Sequence, residues 1–145
     1  MDWKTVAIEK LKQYEYKRQS LETIPLQIAE IESTMTSIRS GSSIAPVSGG
    51  KSTGREDMLL SCIVQRDELQ RNLERSKQWI EYMDRGLSIL NPEHRKVLER
   101  FYITDSRGAA EDLATELMAD VKTIYKWKDA ALRKFTIALF GCVEI

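Results

Sequence analysis

The chain has 145 residues, the length of one ordinary domain with room for a small second module. Its 22 Lys and Arg residues balance 22 Asp and Glu residues, so the formal net charge is zero, which excludes a polycation that binds nucleic acid by bulk charge alone. Hydrophobic residues make up 42% of the chain and charged residues 30%, with 3 Pro and 7 Gly. This composition predicts a globular, mostly helical protein rather than a disordered tail.

The chain lacks the sequence features of a secreted, membrane or metal-binding protein. Cys62 and Cys142 are its only cysteines, too few for a disulfide framework, so we expect a reduced, cytoplasmic protein. No apolar run reaches the roughly 18 residues that span a bilayer, and the first residues lack the basic segment and apolar core of a signal peptide. His94 is the only histidine. We therefore expect no zinc site and no cofactor, and we expect His94 to face solvent or to help cap its helix.

The first third of the chain predicts a long amphipathic helix. Its apolar residues are spaced by 4, 3, 4 and 3 positions, which is heptad spacing. They are Ile24, Ile28, Ile31, Met35 and Ile38, and a looser apolar face upstream consists of Trp3, Ala7, Leu11, Tyr14 and Leu21. Pro25 removes a helical N–H group, so we expect the helix to bend or break near residues 22–24.

Residues 40–54 predict a flexible loop, because they hold four Gly and one Pro among several Ser residues. Residues 45–52 satisfy a permissive form of the phosphate-binding loop pattern. A working version needs a strand before it and a helix after it, so that backbone N–H groups surround the phosphates. A heptad helix precedes this segment instead, so we interpret it as a loop and not as a nucleotide site.

Heptad spacing returns after the loop. Eight of its ten positions are apolar and the exceptions are Arg66 and Ser76; the full set is Leu59, Cys62, Arg66, Leu69, Leu73, Ser76, Ile80, Met83, Leu87 and Leu90. Two amphipathic helices joined by a loop predict an antiparallel, coiled-coil-like hairpin over residues 1–90. Each helix would be about 50 Å long. A hairpin this narrow leaves part of each apolar stripe uncovered, so we expect a homodimer; the alternative is a monomer whose hairpin packs on the C-terminal module.

Residues 91–145 predict a module of three short helices. Asn91 and Pro92 are typical of a helix N-terminus, and the buried face of that helix is expected to consist of Val97, Leu98, Phe101 and Tyr102. A turn at 104–108 precedes a second helix, 109–117, with Leu113, Ala114 and Leu117 on one face. Asp120 can cap the third helix, whose predicted core residues are Val121, Ile124, Ala131, Leu132 and Phe135. The short connection between the last two helices is typical of a helix-turn-helix.

The last helix concentrates positive charge. Residues 120–135 hold five Lys or Arg residues against two Asp residues, a net charge of +3 in a chain that sums to zero. The second helix of a helix-turn-helix enters the major groove, and its first two turns reach base edges while later residues contact phosphates. The predicted DNA-binding residues are Val121, Lys122, Thr123, Tyr125, Lys126, Lys128, Arg133 and Lys134. A solvent-exposed face of a surface helix is the alternative interpretation, and Trp127 could be a core aromatic or touch a sugar or thymine methyl.

The same module resembles region 4 of bacterial sigma-70-type factors. Leu90–Ile103 is similar to the opening of that region, with its Arg-x-Val-Leu core and aromatic end. Glu111–Leu117 and Val121–Phe135 are similar to its helix-turn-helix, and the ending Ala131–Phe135 is close to the family's Ala-Leu-x-Lys-Leu. The whole arrangement is similar to small phage transcription regulators of the ArpU and RinA type. The resemblance implies a phage or prophage protein acting in a bacterial host cell.

The resemblance also implies particular contacts, with one departure. The promoter-reading positions of the family fall on Val121, Lys122 and Tyr125, where sigma factors commonly have Arg, Glu and Arg. Recognition of a consensus promoter element therefore does not transfer to this chain. The resemblance further implies that the contact of the family with host RNA polymerase is carried partly by the helix from Glu93 to Tyr102.

Together these features predict a non-enzymatic, sequence-specific DNA-binding transcription regulator whose partner is double-stranded DNA. A dimer would address half-sites separated by a whole number of helical turns. The alternative is a phage assembly, packaging or adaptor protein that works through its long helices. An enzyme is the least favoured class, because no nucleophile with a base, and no set of metal ligands, emerges from the sequence.

Overall fold

The computed structural model describes residues 1–41 and 52–144, and within them the protein is all-helical, as expected. The helices are α1 (Trp3–Ser40), α2 (Ser52–Ser88), α3 (Pro92–Leu98), α4 (Ala109–Glu116) and α5 (Val121–Phe140), and a π-helical turn (Glu99–Ile103) follows α3 directly. Among these residues no β-strand occurs; Asp2 and Glu144 form only an isolated antiparallel bridge.

The predicted loop at 40–54 lies mostly outside the described residues, and so does the phosphate-loop pattern at 45–52. Its predicted bounds are wrong, because α1 includes Ser40 and α2 begins at Ser52. The last carbonyls of α1 have hydrogen-bond partners, which supports the extension of this helix to Ser40. Ser40 Oγ donates to the carbonyl of Ser37 at 3.0 Å, and Arg55 Nε donates to the carbonyl of Ile38 at 2.8 Å.

The chain divides into two compact units. One consists of Met1–Arg18 together with Gln78–Ile145, and the other of Gln19–Lys77. Both long helices contribute residues to both units. The predicted domain boundary near residue 90 stays a prediction.

In the unit of Gln19–Lys77 the heptad residues face inward. Ile24, Met35 and Ile38 are buried. Ser20 Oγ donates to Ser76 Oγ at 3.2 Å, Arg66 approaches the Met35 sulfur at 4.0 Å, and Arg55 reaches Ile38. The polar heptad residues Ser76 and Arg66 thus contact polar or polarisable partners.

Of the two outcomes expected at Pro25, a bend or a break, the break is wrong and the bend stays a prediction. Helix α1 continues through Pro25 from Trp3 to Ser40. A proline inside a helix costs about 3 kcal/mol, because one hydrogen bond is lost and the ring crowds the preceding turn. The buried heptad residues on both sides of Pro25, Tyr14 and Ile24 before it and Met35 after it, oppose that cost.

In the other unit, the start of α1 and the end of α2 pack with α5. The Tyr14 hydroxyl donates to Asp84 Oδ1 at 2.5 Å, and the ring of Trp3 stacks on Phe140 with 4.7 Å between centroids. Gly86 allows the close approach of α2 to α5: a Cβ atom at this position would lie 2.9 Å from the ring of Phe135. The last helix is therefore fixed along its C-terminal half.

The N-terminal half of α5 packs on α3 and α4. The buried cluster contains Val97, Ala110, Leu113 and Ile124, and the partly buried residues against it are Phe101, Ala114, Leu117, Ala119 and Trp127. The predicted core residues Ala131, Leu132 and Phe135 are also buried. The expectation that Val121 faces the core is wrong: it is 37% exposed. Ala119, just before the helix, contacts the cluster instead.

Within the described segments, no helix has both the length and the apolar character that crossing a bilayer requires.

Candidate functional site

The start of α5 is set by a tight connection from α4. Helix α4 ends at Glu116, and the Leu117 N–H donates to the carbonyl of Leu113 at 2.8 Å. Met118 adopts a φ of +55°, a left-handed backbone conformation that residues other than Gly rarely adopt. Asp120 then caps α5 as predicted, accepting the Thr123 N–H at 2.8 Å. Hydrogen bonds from Thr123 hold the pKa of the Asp120 carboxyl below its usual value.

A carboxylate joins α4 to the preceding segment. Glu116 accepts from Arg100 at 2.9 Å and is also bound by the ammonium of Lys96. Hydrogen bonding to Lys96, and the positive charges of both cations, hold the pKa of Glu116 below its ordinary value. This three-residue contact fixes the end of α4 against α3 and the π-helical turn.

One exposed face of α5 carries three of the predicted DNA-binding cations. At about 100° per residue, Lys122, Lys126 and Arg133 lie within an arc of about 40°. All three are exposed. Asp129 is exposed as well and lies at the edge of the same arc. We call this set the cationic face; it consists of Lys122, Lys126, Asp129 and Arg133.

Two predicted residues flank the cationic face on one side. Val121 is 37% exposed and Tyr125 is 45% exposed, and they lie one turn apart. We call this pair the apolar edge. The ring of Tyr125 packs against Phe101 with 5.8 Å between centroids. The ammonium of Lys128 lies 5.0 Å from the Phe101 centroid and 5.1 Å from the Tyr125 centroid, so Lys128 binds two aromatic rings of its own chain.

The other two predicted residues lie on the opposite flank. Thr123 is half-buried, and its backbone N–H is used by the Asp120 cap. Lys134 is exposed but lies about 100° around the helix from Arg133. The positive charge of Lys134 contributes to lowering the pKa of His94, which places it on the side of α5 that faces α3. The eight predicted residues therefore do not form one surface.

His94 and Trp127 lie in the interior of this module. His94 is only 7% exposed, and its buried Nδ1 has no hydrogen-bond partner. Its backbone N–H donates to the Asn91 side chain at 2.8 Å, so the predicted cap is present. The expectation of a solvent-facing imidazole is wrong, because the ring packs 6.4 Å from Trp127. Trp127 contacts the buried cluster, as the interpretation of a core aromatic requires.

The sequence analysis assigned no role in the site to Asp129, which it only counted, to Phe101 as the partner of Tyr125, or to Glu116. The spacing of Tyr125, Asp129 and Arg133, four residues apart each time, could have revealed the acid within the cationic face. The contact of Phe101 with Tyr125 could not be found this way, because it joins two elements that are distant in sequence.

The chemistry available at this surface is that of binding. Lysine and arginine donate to anions, while valine and tyrosine present apolar groups. Over residues 1–41 and 52–144, no group of three or more His, Cys, Asp or Glu side chains is arranged to hold a metal ion.

Comparisons with known proteins identify a family match. Neither the curated proteins nor the solved structures contain a match to this chain. A family model described as "Protein of unknown function (DUF1492)" matches residues 36–136, which include α2, α3, α4 and the whole cationic face. Since the match covers more than half of the 145 residues, the chain belongs to the DUF1492 family.

Proposed function

We propose that this protein is a sequence-specific DNA-binding transcription regulator, in which α4 and α5 form a helix-turn-helix and α5 is the recognition helix. Three features support the proposal. The connection Leu117–Asp120 is short, α3, α4 and α5 share one buried cluster, and the exposed side of α5 is cationic. These are the general properties of a helix that enters the major groove of a duplex.

The cationic face is the observation that carries this proposal. The ion pairs of the described residues involve other cations: Arg18, Arg66, Arg85, Arg95, Lys96 and Arg100. Lys122, Lys126 and Arg133 take part in none of these ion pairs and can meet an outside anion, although the charge of Lys126 also helps to lower the pKa of the Asp120 carboxyl. Phosphate contacts of this kind supply much of the affinity of a DNA-binding protein.

We assign different roles along α5. Val121, Lys122, Tyr125 and Lys126 lie in its first two turns and would meet base edges. Arg133 lies nearly two turns beyond Lys126 and would contact a phosphate. Lys128, held by two aromatic rings, and Lys134, on the α3 side, would contribute mainly long-range charge.

The wider assembly belongs to the same proposal. Residues 1–90 would form an antiparallel hairpin, and the protein would act as a homodimer on paired half-sites in the cytoplasm of a bacterial host cell. The resemblance to sigma region 4 and to phage regulators adds a contact between residues 93–102 and host RNA polymerase. Linking two weak DNA modules in one dimer raises the effective concentration of the second at its half-site.

The test is selection from random DNA fragments followed by titration of the recovered sequence. Lys122→Ala with Lys126→Ala should weaken binding at least tenfold, because base and phosphate contacts are lost together. The matched control is Arg71→Ala with Arg75→Ala, which removes two exposed charges from α2 and should change binding less than twofold. Equal effects of the two pairs, with helicity unchanged in circular dichroism, would contradict the proposal.

A second candidate is an adaptor or assembly protein that works through its long helices. The observation in its favour is that two apolar residues lie exposed one turn apart on α2: Leu60 is 60% exposed and Val64 is 50% exposed. Failure of the selection to recover any DNA motif, at low and at moderate salt, would favour this candidate over the regulator.

A further inference from the structure

The apolar edge of α5 has a composition that suits one particular feature of DNA. Val121 begins the helix and Tyr125 follows one turn later on the same side. Both are exposed, at 37% and 45%. Valine carries no hydrogen-bonding group in its side chain, so at this position α5 can recognise a base only by apolar contact.

The tyrosine ring of this edge is held in place. Phe101 packs against it from the π-helical turn at 5.8 Å, and the Lys128 ammonium lies 5.1 Å from its centroid. Contacts from two directions restrict the ring, so little side-chain entropy remains to be lost when it meets a partner. The edge is therefore a preformed apolar surface and not a mobile side chain.

The positive charges near the apolar edge indicate which kind of molecule contacts it. The cationic face begins on the Tyr125 side of this edge, where Lys122 lies about 60° and Lys126 about 100° from Tyr125 around the helix. An apolar partner surface would gain nothing from these cations, whereas a DNA duplex presents phosphates to them and base edges to Val121 and Tyr125. In the major groove the C5-methyl group of thymine is the apolar feature of the base pairs.

We propose that Val121 and the ring of Tyr125 read the 5-methyl groups of thymines in the DNA site. This inference rests on the proposed function, since it assumes that α5 enters the major groove. It identifies thymine as the base that the first two turns of α5 select. The position of Val121 would not select guanine or adenine by hydrogen bonds, because bidentate readout of those bases requires Arg, Lys, Asn or Gln.

Uracil substitution tests the inference, since deoxyuridine differs from thymidine only in lacking the 5-methyl group. Each thymine of the selected site is replaced singly, and affinity is measured by fluorescence anisotropy. Two positions should each lose about fourfold in affinity, the value of one buried methyl-sized group. Val121→Ala should abolish the difference between thymine and uracil at one of them, while Tyr125→Phe, which keeps the ring, should retain it at the other.

The possible outcomes distinguish failure of thymine reading from failure of the proposed DNA-binding function on which it rests. Specific binding that changes less than twofold at every uracil position would overturn thymine reading and leave the regulator intact. Sensitivity to uracil that persists unchanged in Val121→Ala and in Tyr125→Ala would also overturn it, because other residues would then contact the methyl groups. Recovery of no DNA motif would overturn both.

Discussion

Glu116 accepts a hydrogen bond of 2.9 Å from Arg100 and also binds Lys96, so a single carboxylate at the end of α4 holds two cations of α3 and the π-helical turn. Both cations belong to the segment that precedes the candidate recognition helix. Because they are neutralised within the chain, the positive charge of this module is concentrated on α5. The same contact also fixes the angle at which α4 presents the following turn.

Glu116→Gln should lower stability in a pH-dependent way. The pKa of Glu116 lies below its ordinary value of 4.5, so its ionised form favours the folded state. The stabilisation should be complete above pH 4.5 and should disappear as the pH falls through the lowered pKa. We expect the melting temperatures of the variant and the parent protein to differ at pH 7 and to converge in acid. Glu74→Gln, an exposed acid on α2, is the control and should show no such difference.

Asp129→Asn should raise DNA affinity. Asp129 lies at the edge of the cationic face, where its charge repels phosphate. Removing that charge should increase affinity several-fold at low salt, and the gain should shrink as salt screens the remaining charges. Anisotropy titrations at two salt concentrations measure both effects. Asp57→Asn, an exposed change on α2, should leave affinity unaltered; an equal gain from both variants would argue against α5 as the binding surface.

His94 should make stability depend on pH in mild acid. Burial, together with the charge of Lys134, lowers the pKa of His94 below its ordinary value of 6.5. The unfolded chain therefore takes up a proton at higher pH than the folded chain, so stability is full above pH 6.5 and declines below it. Urea midpoints from tryptophan fluorescence should fall between pH 7.5 and pH 5.

The chain offers a clean control for this effect, because His94 is its only histidine. His94→Gln should give urea midpoints that change little over the same interval, whatever its overall stability. If the urea midpoint of His94→Gln still fell between pH 7.5 and pH 5, another group would have to change its protonation on unfolding.

Met118→Gly should stabilise the protein. Met118 is 93% exposed, so its side chain contributes little packing, and its φ of +55° strains any residue with a Cβ. Glycine removes that strain, worth about 1 kcal/mol, although it also makes the unfolded chain more flexible. A net gain of about 0.5 kcal/mol in urea unfolding is expected. Met58→Gly, at an exposed position within α2, should instead lose about 1 kcal/mol.

Local patterns in the sequence predicted the elements well. The heptad residues of both long helices are buried or half-buried, and the caps at Asn91 and Asp120 form as expected. Such features depend on neighbours within a few residues, which the sequence displays directly. The break that is one of the two outcomes expected at Pro25 does not occur, because packing along the whole helix also matters. The local penalty of one proline competes there with the packing of a helix 38 residues long.

The site was less accessible to prediction, because charge counting does not say where a side chain points. Lys126 and Lys128 look equivalent in sequence, yet one is exposed and the other lies over the rings of Phe101 and Tyr125. Val121 and His94 were misplaced because their exposure depends on contacts with other elements, which no local pattern encodes. The hairpin, the dimer and the DNA contacts stay predictions.

The π-helical turn Glu99–Ile103 has a consequence for any redesign of this module. Its wider hydrogen bonding, in which the Thr104 N–H donates to the carbonyl of Glu99 at 2.7 Å, accommodates one residue more than an α-helical turn would. Deleting a residue that precedes Phe101 within this turn would restore ordinary helix but rotate Phe101 by about 100° relative to α3. Tyr125 would then lose its ring contact with Phe101. The length of this five-residue turn thus sets the orientation of a side chain on another helix.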